Sequence, residues 1–312
     1  LDEWTRIFQS LGDSPFWCTL SGGEPFYRKD LVQIHDALIA NCHPKIVNIP
    51  TNSLTKRVAE FVWDMAYKHP ETRLVVNVSI DHCDPAKNDI IRGVPGHFKR
   101  ALEVFNSLKQ IQAPNLTVGI HTVISTLNIE DIPQIVEAFS DLAADQFISE
   151  VAEERLEMSH VNSDGSLGAL NDSITPTAEQ YAVAIESLTS RMRQAHWSGL
   201  SRITRAFRLT YYQNVIKNLR DRQQAIPCFA GYASCQVQYD GTVWPCCVEA
   251  VPIGNLRDNN YNFPEIWTSH QAKQARKRIR KELCQCPLAN ASYTNMLMHP
   301  PSILNITKEL VR

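Results

Sequence analysis

Apolar and polar positions alternate along the first half of the chain in two distinct periods. Phe16 to Ser21, Lys45 to Ile49, Leu74 to Ile80, Leu116 to Ile124 and Phe147 to Val151 are short runs rich in β-branched residues, the composition of buried strands. Between them the spacing changes to that of helices. Leu31, Ile34, His35, Leu38 and Ile39 mark one. Val58, Phe61, Val62 and Met65 mark a second over Leu54 to Tyr67, and Phe98 to Leu108 and Ile132 to Leu142 supply two more. Strands alternating with helices predict a parallel sheet or partial barrel, whose ligands sit at the carboxyl ends of the strands.

The pattern breaks at Glu153 to Asp172, a polar stretch rich in Gly, Ser and Asn that reads as a loop or boundary. Helices are expected near Thr177 to Arg193 and Ile203 to Gln223. After Pro227 cysteines, aromatics and turns take over, and Gln236 to Tyr239 and Thr242 to Trp244 flank Asp240-Gly241, a hairpin signal if both turn positions take positive φ. The expected division is therefore residues 1–155, a connecting helical segment 156–226, and a cysteine-rich module 227–312.

At 312 residues the chain has room for two domains of about 150 residues each. With 44% apolar and 21% charged residues it is far from the composition of a disordered chain. The 31 basic residues nearly balance 33 acidic ones, so no overall field draws it to nucleic acid or to an anionic membrane. The longest stretch without Asp, Glu, Lys or Arg, Gln110 to Ile129, is broken by Pro114, Asn115, Gly119 and His121, and no membrane span is expected. A basic run, Arg276-Lys277-Arg278 with Arg280 and Lys281, spreads around a helix without an aromatic platform and reads as a solvated face.

Six of the nine cysteines fall in the last third, at Cys228, Cys235, Cys246, Cys247, Cys284 and Cys286, which argues for a metal-binding module there. Thiolates converging on one site suit zinc or a cubane iron–sulfur cluster, and spacing does not choose between them. Near the other end, Ser21-Gly22-Gly23-Glu24-Pro25-Phe26 follows the first strand: paired glycines let a ligand approach the backbone, and an adjacent carboxylate can bind an amine. Thr51-Asn52 ends the next strand, Ser79-Ile80-Asp81 the third, and a loop runs from Asp89 through Arg92 to Phe98.

Taken in that order, these motifs make the chain resemble the radical SAM superfamily over essentially its whole length, and Cys228, Gly241-x4-Cys246 and Cys284-Gln285-Cys286 resemble its SPASM/Twitch auxiliary-cluster extension. The resemblance implies an α/β fold, a partial (βα)6 TIM-like barrel with a small cysteine-rich α+β domain, and an enzyme that cleaves S-adenosylmethionine to a 5′-deoxyadenosyl radical. It implies that Gly22, Gly23, Glu24 and Pro25 hold the methionyl amine, and that Thr51, Asn52, Ser79 and Asp81 line the cofactor, with Ser79 and Asp81 reaching its carboxylate and ribose. Arg92 is a candidate for the carboxylate, since a guanidinium binds carboxylates bidentately. One auxiliary 4Fe-4S cluster on Cys228, Cys246, Cys284 and Cys286 is implied too, with Cys235 and Cys247 as small buried residues.

The family's catalytic cluster uses a Cys-x3-Cys-x2-Cys loop, and no such triplet exists here. The expectation is a chain truncated before that loop and its strand, whose own residues supply no catalytic-cluster ligands. The implied setting is the cytoplasm, with a flavodoxin- or ferredoxin-type electron donor and a peptide or small-metabolite substrate; neither nucleic acid nor membrane is an expected partner. A rival reading is a non-catalytic, degenerate barrel with a structural zinc site. His121 is read as a core histidine, Glu150, Glu153 and Arg155 as a salt-bridged loop, and Cys18 as a packing residue.

Overall fold

A computed structural model describes residues 1–153, 174–194, 200–248, 250–281, 286–289 and 291–311. Helix α1 (Asp2–Leu11) precedes strand β1 (Trp17–Thr19); then α2 (Leu31–Cys42), β2 (Ile46–Thr51), α3 (Arg57–Lys68) and β3 (Arg73–Ser79) alternate. Two helices, α4 (Pro85–Arg92) and α5 (His97–Lys109), lead to β4 (Leu116–Ile124), and α6 (Ile132–Ser140) to β5 (Gln146–Val151). The five strands form one sheet in the order β1-β2-β3-β4-β5, and the pairings β1–β2, β2–β3 and β3–β4 are parallel.

Along β2, β3 and β4 one set of side chains is largely aliphatic and sealed. Val47, Ile49, Val76, Val78, Ile80, Ile120 and Ile124 are fully buried, and α3 and α5 both pack against β3. The alternate set is polar: Asn48, Asn77, Ser79 and His121 project from the other face. A strand buried on one face by helices and lined with polar groups on the other leaves the polar face to a ligand.

The expected strands and helices form, with three differences, each with a physical reason. Asp89 to Phe98 is not one loop. Asp84 caps α4 by accepting from Ala86 and Lys87, and Pro85 occupies the first helical turn, where its missing N–H costs nothing. Strand β1 is shorter than its apolar run, because it lies at the sheet edge with Phe16 and Trp17 exposed. The Asp240-Gly241 turn has a left-handed φ only at Gly241 (86°); Gln238 and Thr242 close a longer loop instead.

The chain divides into two compact units, Leu1–Val123 with Glu137–Ser149 and Tyr261–Pro264, and Ile124–Val136 with Glu150–Asn260 and Glu265–Arg312. In the second, α7 (Ala178–Gln194) and α8 (Leu200–Asp221) bury Tyr181, Tyr211 and Tyr212. A small antiparallel sheet comes next, β6 (Gln236–Val237), β7 (Thr242–Trp244) and β8 (Gly254–Asn255), with α9 (Phe263–Thr268), α10 (His270–Ile279), α11 (Ser292–Leu297) and α12 (Pro300–Val311). The basic run on α10 is not wholly a solvated face. Ala272, Ala275, Arg276 and Ile279 share one side of the helix, so Arg276 turns inward, donating to the carbonyls of Gly231 and Trp267 and stacking over the Trp267 ring at 4.5 Å.

Candidate functional site

The glycine loop leaves β1 beside the end of β2, and Glu24 ties the two together. Its Oε1 accepts from the Thr51 hydroxyl (3.0 Å) and the Phe26 amide (3.3 Å), and its Oε2 accepts from the Asn52 amide at 2.6 Å. Pro25 and Phe26 are buried behind it, and Phe26 meets Phe61 edge-to-face at 5.3 Å. A carboxylate offers about four lone-pair sites, so three accepted bonds leave room for a further donor. Gly22 and Gly23 are exposed, and a Cβ added to either meets nothing within 4 Å. The φ of 143° at Gly22 is one that side chains rarely adopt. The residues thus fit an amine-bearing ligand: open space along a bare backbone, ending at an anchored carboxylate.

Ser79 lies opposite His121 in register at the carboxyl ends of β3 and β4, and both are half-buried. Asp81 is 3% exposed; its Oδ1 accepts from the Val123 amide (2.8 Å) and its Oδ2 pairs with Arg92 Nη1 (3.1 Å). Both Asp81 oxygens are engaged within the protein, and the bond to Arg92 orients that guanidinium. Arg92 spends one of five donors on that bond, leaving donors for a ligand carboxylate. Asn88, fully buried, donates from Nδ2 to His97 Nδ1, and its Oδ1 accepts from the Asp81 amide. Burial, then the Arg92 charge, pushes the His97 imidazole below its usual range. All of these residues belong to the first compact unit.

A polar row that sequence reading missed lies one layer deeper. Gln146 donates to Asn77 Oδ1 (2.9 Å), Asn77 to Asn48 Oδ1 (2.8 Å), and Asn48 to the Thr19 hydroxyl (3.4 Å). Gly119 makes room for it, since a Cβ there would sit 2.3 Å from Asn77 Oδ1. The signal was available: Asn48 and Asn77 each interrupt an otherwise aliphatic run.

In the cysteine module, Cys246 Sγ accepts from the Val248 amide and Cys286 Sγ from the Leu288 amide, both at 3.4 Å. Amide donors of this kind stabilise thiolates and tune iron–sulfur clusters. The Cys286 carbonyl is fixed by Asn218 and Gln224, and Asn295 holds the Phe229 amide beside Cys228. Cys284 and Arg155 lie outside the described residues. Cys247 is buried, whereas Cys235, expected to be buried too, is exposed. Among the described residues, Cys228, Cys246 and Cys286 do not gather within 4.8 Å of one another. Tetrahedral zinc at Zn–S of about 2.3 Å needs sulfurs roughly 3.8 Å apart, and a cubane that gives each thiolate its own iron spreads them wider. Thiolates are the donors that iron–sulfur clusters take.

A parallel half-barrel with an amine-and-carboxylate cradle at its strand ends, together with a thiolate module, defines the class as a cofactor-dependent barrel protein. Residues 16–139 match the radical SAM superfamily and residues 228–287 the SPASM iron–sulfur cluster-binding domain, so the two domains the motifs suggested are both found, in that order along the chain. Among curated relatives, the PqqA peptide cyclase of Xanthomonas axonopodis pv. citri is 24% identical over 276 residues, covering 86% of this chain and 66% of the relative. That of Methylocella silvestris is 26% identical over 301 residues, covering 91% and 70%. The chain spans just under two thirds of the Xanthomonas relatives it matches. The fold is shared with Streptococcus suis SuiB (TM-score 0.58, 17% identity, 86% of this chain and 59% of that one). It is shared also with anSMEcpe, solved with bound AdoMet and the Kp18Cys peptide (TM-score 0.55, 13% identity, 99% and 87%). Among the described residues no helix is long and apolar enough to cross a membrane.

Proposed function

We propose that this chain is the cofactor-binding and auxiliary-cluster part of a radical SAM enzyme that modifies a peptide. The observation that carries the reading is the Glu24 clamp: a carboxylate fixed by Thr51, Phe26 and Asn52 beside two glycines that open onto unfilled space. S-Adenosylmethionine bound there would supply, on reduction, the radical that begins the chemistry. The chain's residues hold it: Gly22 and Gly23 give backbone access, Glu24 takes the amine, Ser79 faces it from β3, and Arg92, oriented by Asp81, takes the carboxylate. Cys228, Cys246, Cys284 and Cys286 hold the auxiliary cluster. No Cys-x3-Cys-x2-Cys occurs in these 312 residues, so they do not fit the catalytic cluster, and no radical step is derived from them.

A peptide is favoured over a small metabolite because PqqA peptide cyclases are the curated relatives and anSMEcpe was solved with a peptide. An electron donor of the flavodoxin or ferredoxin type and a cytoplasmic setting belong to the same proposal. Equilibrium dialysis of anaerobically reconstituted protein against S-adenosylmethionine tests it. Loss of a charged hydrogen bond costs about 1.5–3 kcal/mol, so Glu24→Gln should weaken binding by tenfold or more, and Gly22→Val, which forces a side chain into the ligand's path at a left-handed φ, by more. Equal affinity in both variants and the parent protein sinks the assignment.

A further inference from the structure

On the helix layer of the first compact unit, away from the strand ends, α2 and the end of α3 bring two imidazoles and a carboxylate together. One ligand atom from each of His35, Asp36 and His69 lies within 4.8 Å of the others. His35 is 2% exposed, its Nδ1 is buried without a hydrogen-bond partner among the described residues, and its ring lies 5.4 Å from that of His69 and edge-on to Phe61. A buried ring nitrogen left unpaired costs the desolvation of a polar atom and calls for a partner. His69 Nε2 is 2.7 Å from Asp36 Oδ1, and Lys68 Nζ is 2.7 Å from Oδ2. The cluster reaches solvent through Lys68, whose side chain is 53% exposed, and Asp36, at 30%.

We propose that His35, Asp36 and His69 bind a divalent transition ion of the zinc class, pinning α2 to the carboxyl end of α3. Two nitrogens and one carboxylate oxygen are the donor set such ions prefer, with water as the fourth ligand. Ligands on one tetrahedral ion at about 2.0–2.1 Å stand roughly 3.4 Å apart, so the widest separation here closes by about 1.4 Å at most. His69 takes the tautomer with its proton on Nδ1, and its Nε2 and Asp36 Oδ1 exchange their hydrogen bond for shared coordination. Lys68 remains on Oδ2 and orients the carboxylate, as outer partners of metal ligands do. Its ammonium opposes the incoming cation, which makes the site one of moderate affinity that tightens when that charge is removed.

The test uses the full chain with its iron–sulfur cluster reconstituted, so that the module's thiolates are occupied, dialysed against buffered zinc. The expected result is one zinc retained, with a nitrogen and oxygen shell near 2.0–2.1 Å and no sulfur near 2.3 Å in zinc-edge X-ray absorption. Asp36→Asn and His69→Gln, both at partly exposed positions, should weaken retention at least tenfold, and His35→Phe, which keeps the ring packing against Phe61, should do the same. Lys68→Met should tighten it severalfold, an effect that a purely structural hydrogen-bond cluster would not produce. A sulfur shell, no zinc retention, equal retention in His69→Gln and the parent, or weaker retention in Lys68→Met overturns the proposal. None of these readouts depends on S-adenosylmethionine.

Discussion

The parallel half-barrel and the cysteine module solve the problem of holding a cofactor site in opposite ways. The barrel builds its site on strands of six to nine residues from β2 to β4, sealed on one face by buried Val, Ile and Leu. The Glu24 clamp then only adjusts loops on a frame that is already rigid. The module has strands of two or three residues, too short to be stable alone. Beside a small core around Val243, Ile253, Leu256 and Ile266, its order rests on single contacts: Arg276 on the Gly231 and Trp267 carbonyls, Asn255 bridging Asp240 and Thr242, and Gly254, whose bare Cα admits Ile266. Where the hydrophobic effect supplies the frame the ligand is a guest, and where it does not the metal is part of the fold.

The comparison breaks most readily by removing the cluster. In structural zinc peptides metal binding contributes roughly 10–16 kcal/mol of folding free energy, and a thiolate-bound cluster in so thin a module should act alike. Chelating the iron should erase hydrogen-exchange protection across residues 236–256 while leaving amides of β2 and β3 protected. Protection retained in both regions would show that the module has a sufficient core of its own. The reciprocal change is Ile49→Ala, a fully buried residue of β2, expected to cost about 2–5 kcal/mol in chemical denaturation of the barrel without altering iron content.

Two smaller substitutions sharpen the contrast. Gly119→Ala puts a methyl 2.3 Å from Asn77 Oδ1 and 2.7 Å from Gln146 Cγ, which displaces the amide row at about 1–3 kcal/mol. Thermal denaturation reads the loss, and an unchanged midpoint would mean the row is soft. Arg276→Ala leaves two carbonyls without their donor, at about 1–3 kcal/mol confined to the module. Arg276→Lys should rescue little, because an ammonium cannot reproduce the fork or its stacking over Trp267. Exchange of module amides in both variants decides whether Arg276 is a staple or a surface charge.

The barrel was legible because its signals are local and repeated. Val47 to Thr51 and Leu74 to Ser79 carry their burial in composition, and the order of Gly-Gly-Glu-Pro, Thr51-Asn52 and Ser79-x-Asp81 along successive strands pointed to a cofactor cradle. The features that escaped depended on partners distant in sequence. That Asp81 would turn from solvent to Val123 and Arg92 requires knowing that β4 runs beside β3. The inward turn of Arg276 depends on Gly231, 45 residues away. Helix α4 escaped because its end reads as part of the loop from Asp89 to Phe98, although Asp84-Pro85 is a helix start, the Asp side chain capping the turn that follows. His35 of α2 looked like a periodic core position and His69, just past α3, carried no signal of its own; only the fold brought them together.

The smallest expected effect compares one carboxylate from each region doing the same job. Asp89 accepts from the amides of Phe98 and Gly96, and Asp240 from that of Thr242. Foremost among the causes, the Phe98 amide holds the Asp89 carboxyl below its usual range, and the Thr242 amide does so for Asp240. A depressed folded-state value means that each stabilisation is complete above the ordinary carboxylate range and is lost as pH falls through the depressed one. Both groups are open to water, so the change is local rather than global. Amide exchange measured by NMR from neutral pH into acid should show Phe98 and Thr242 losing protection in that window, with Asp89→Asn abolishing the pH dependence at Phe98 alone and Asp240→Asn at Thr242 alone. The two regions should differ in how far that loss spreads. The strands beside Asp89 keep their protection, since β3 and β4 are long and held by burial, whereas loosening the Asp240 loop should spread to Val243 and Asn255, which sit in strands of two or three residues. Equal spread in both regions would mean that the module is no more dependent on single contacts than the barrel.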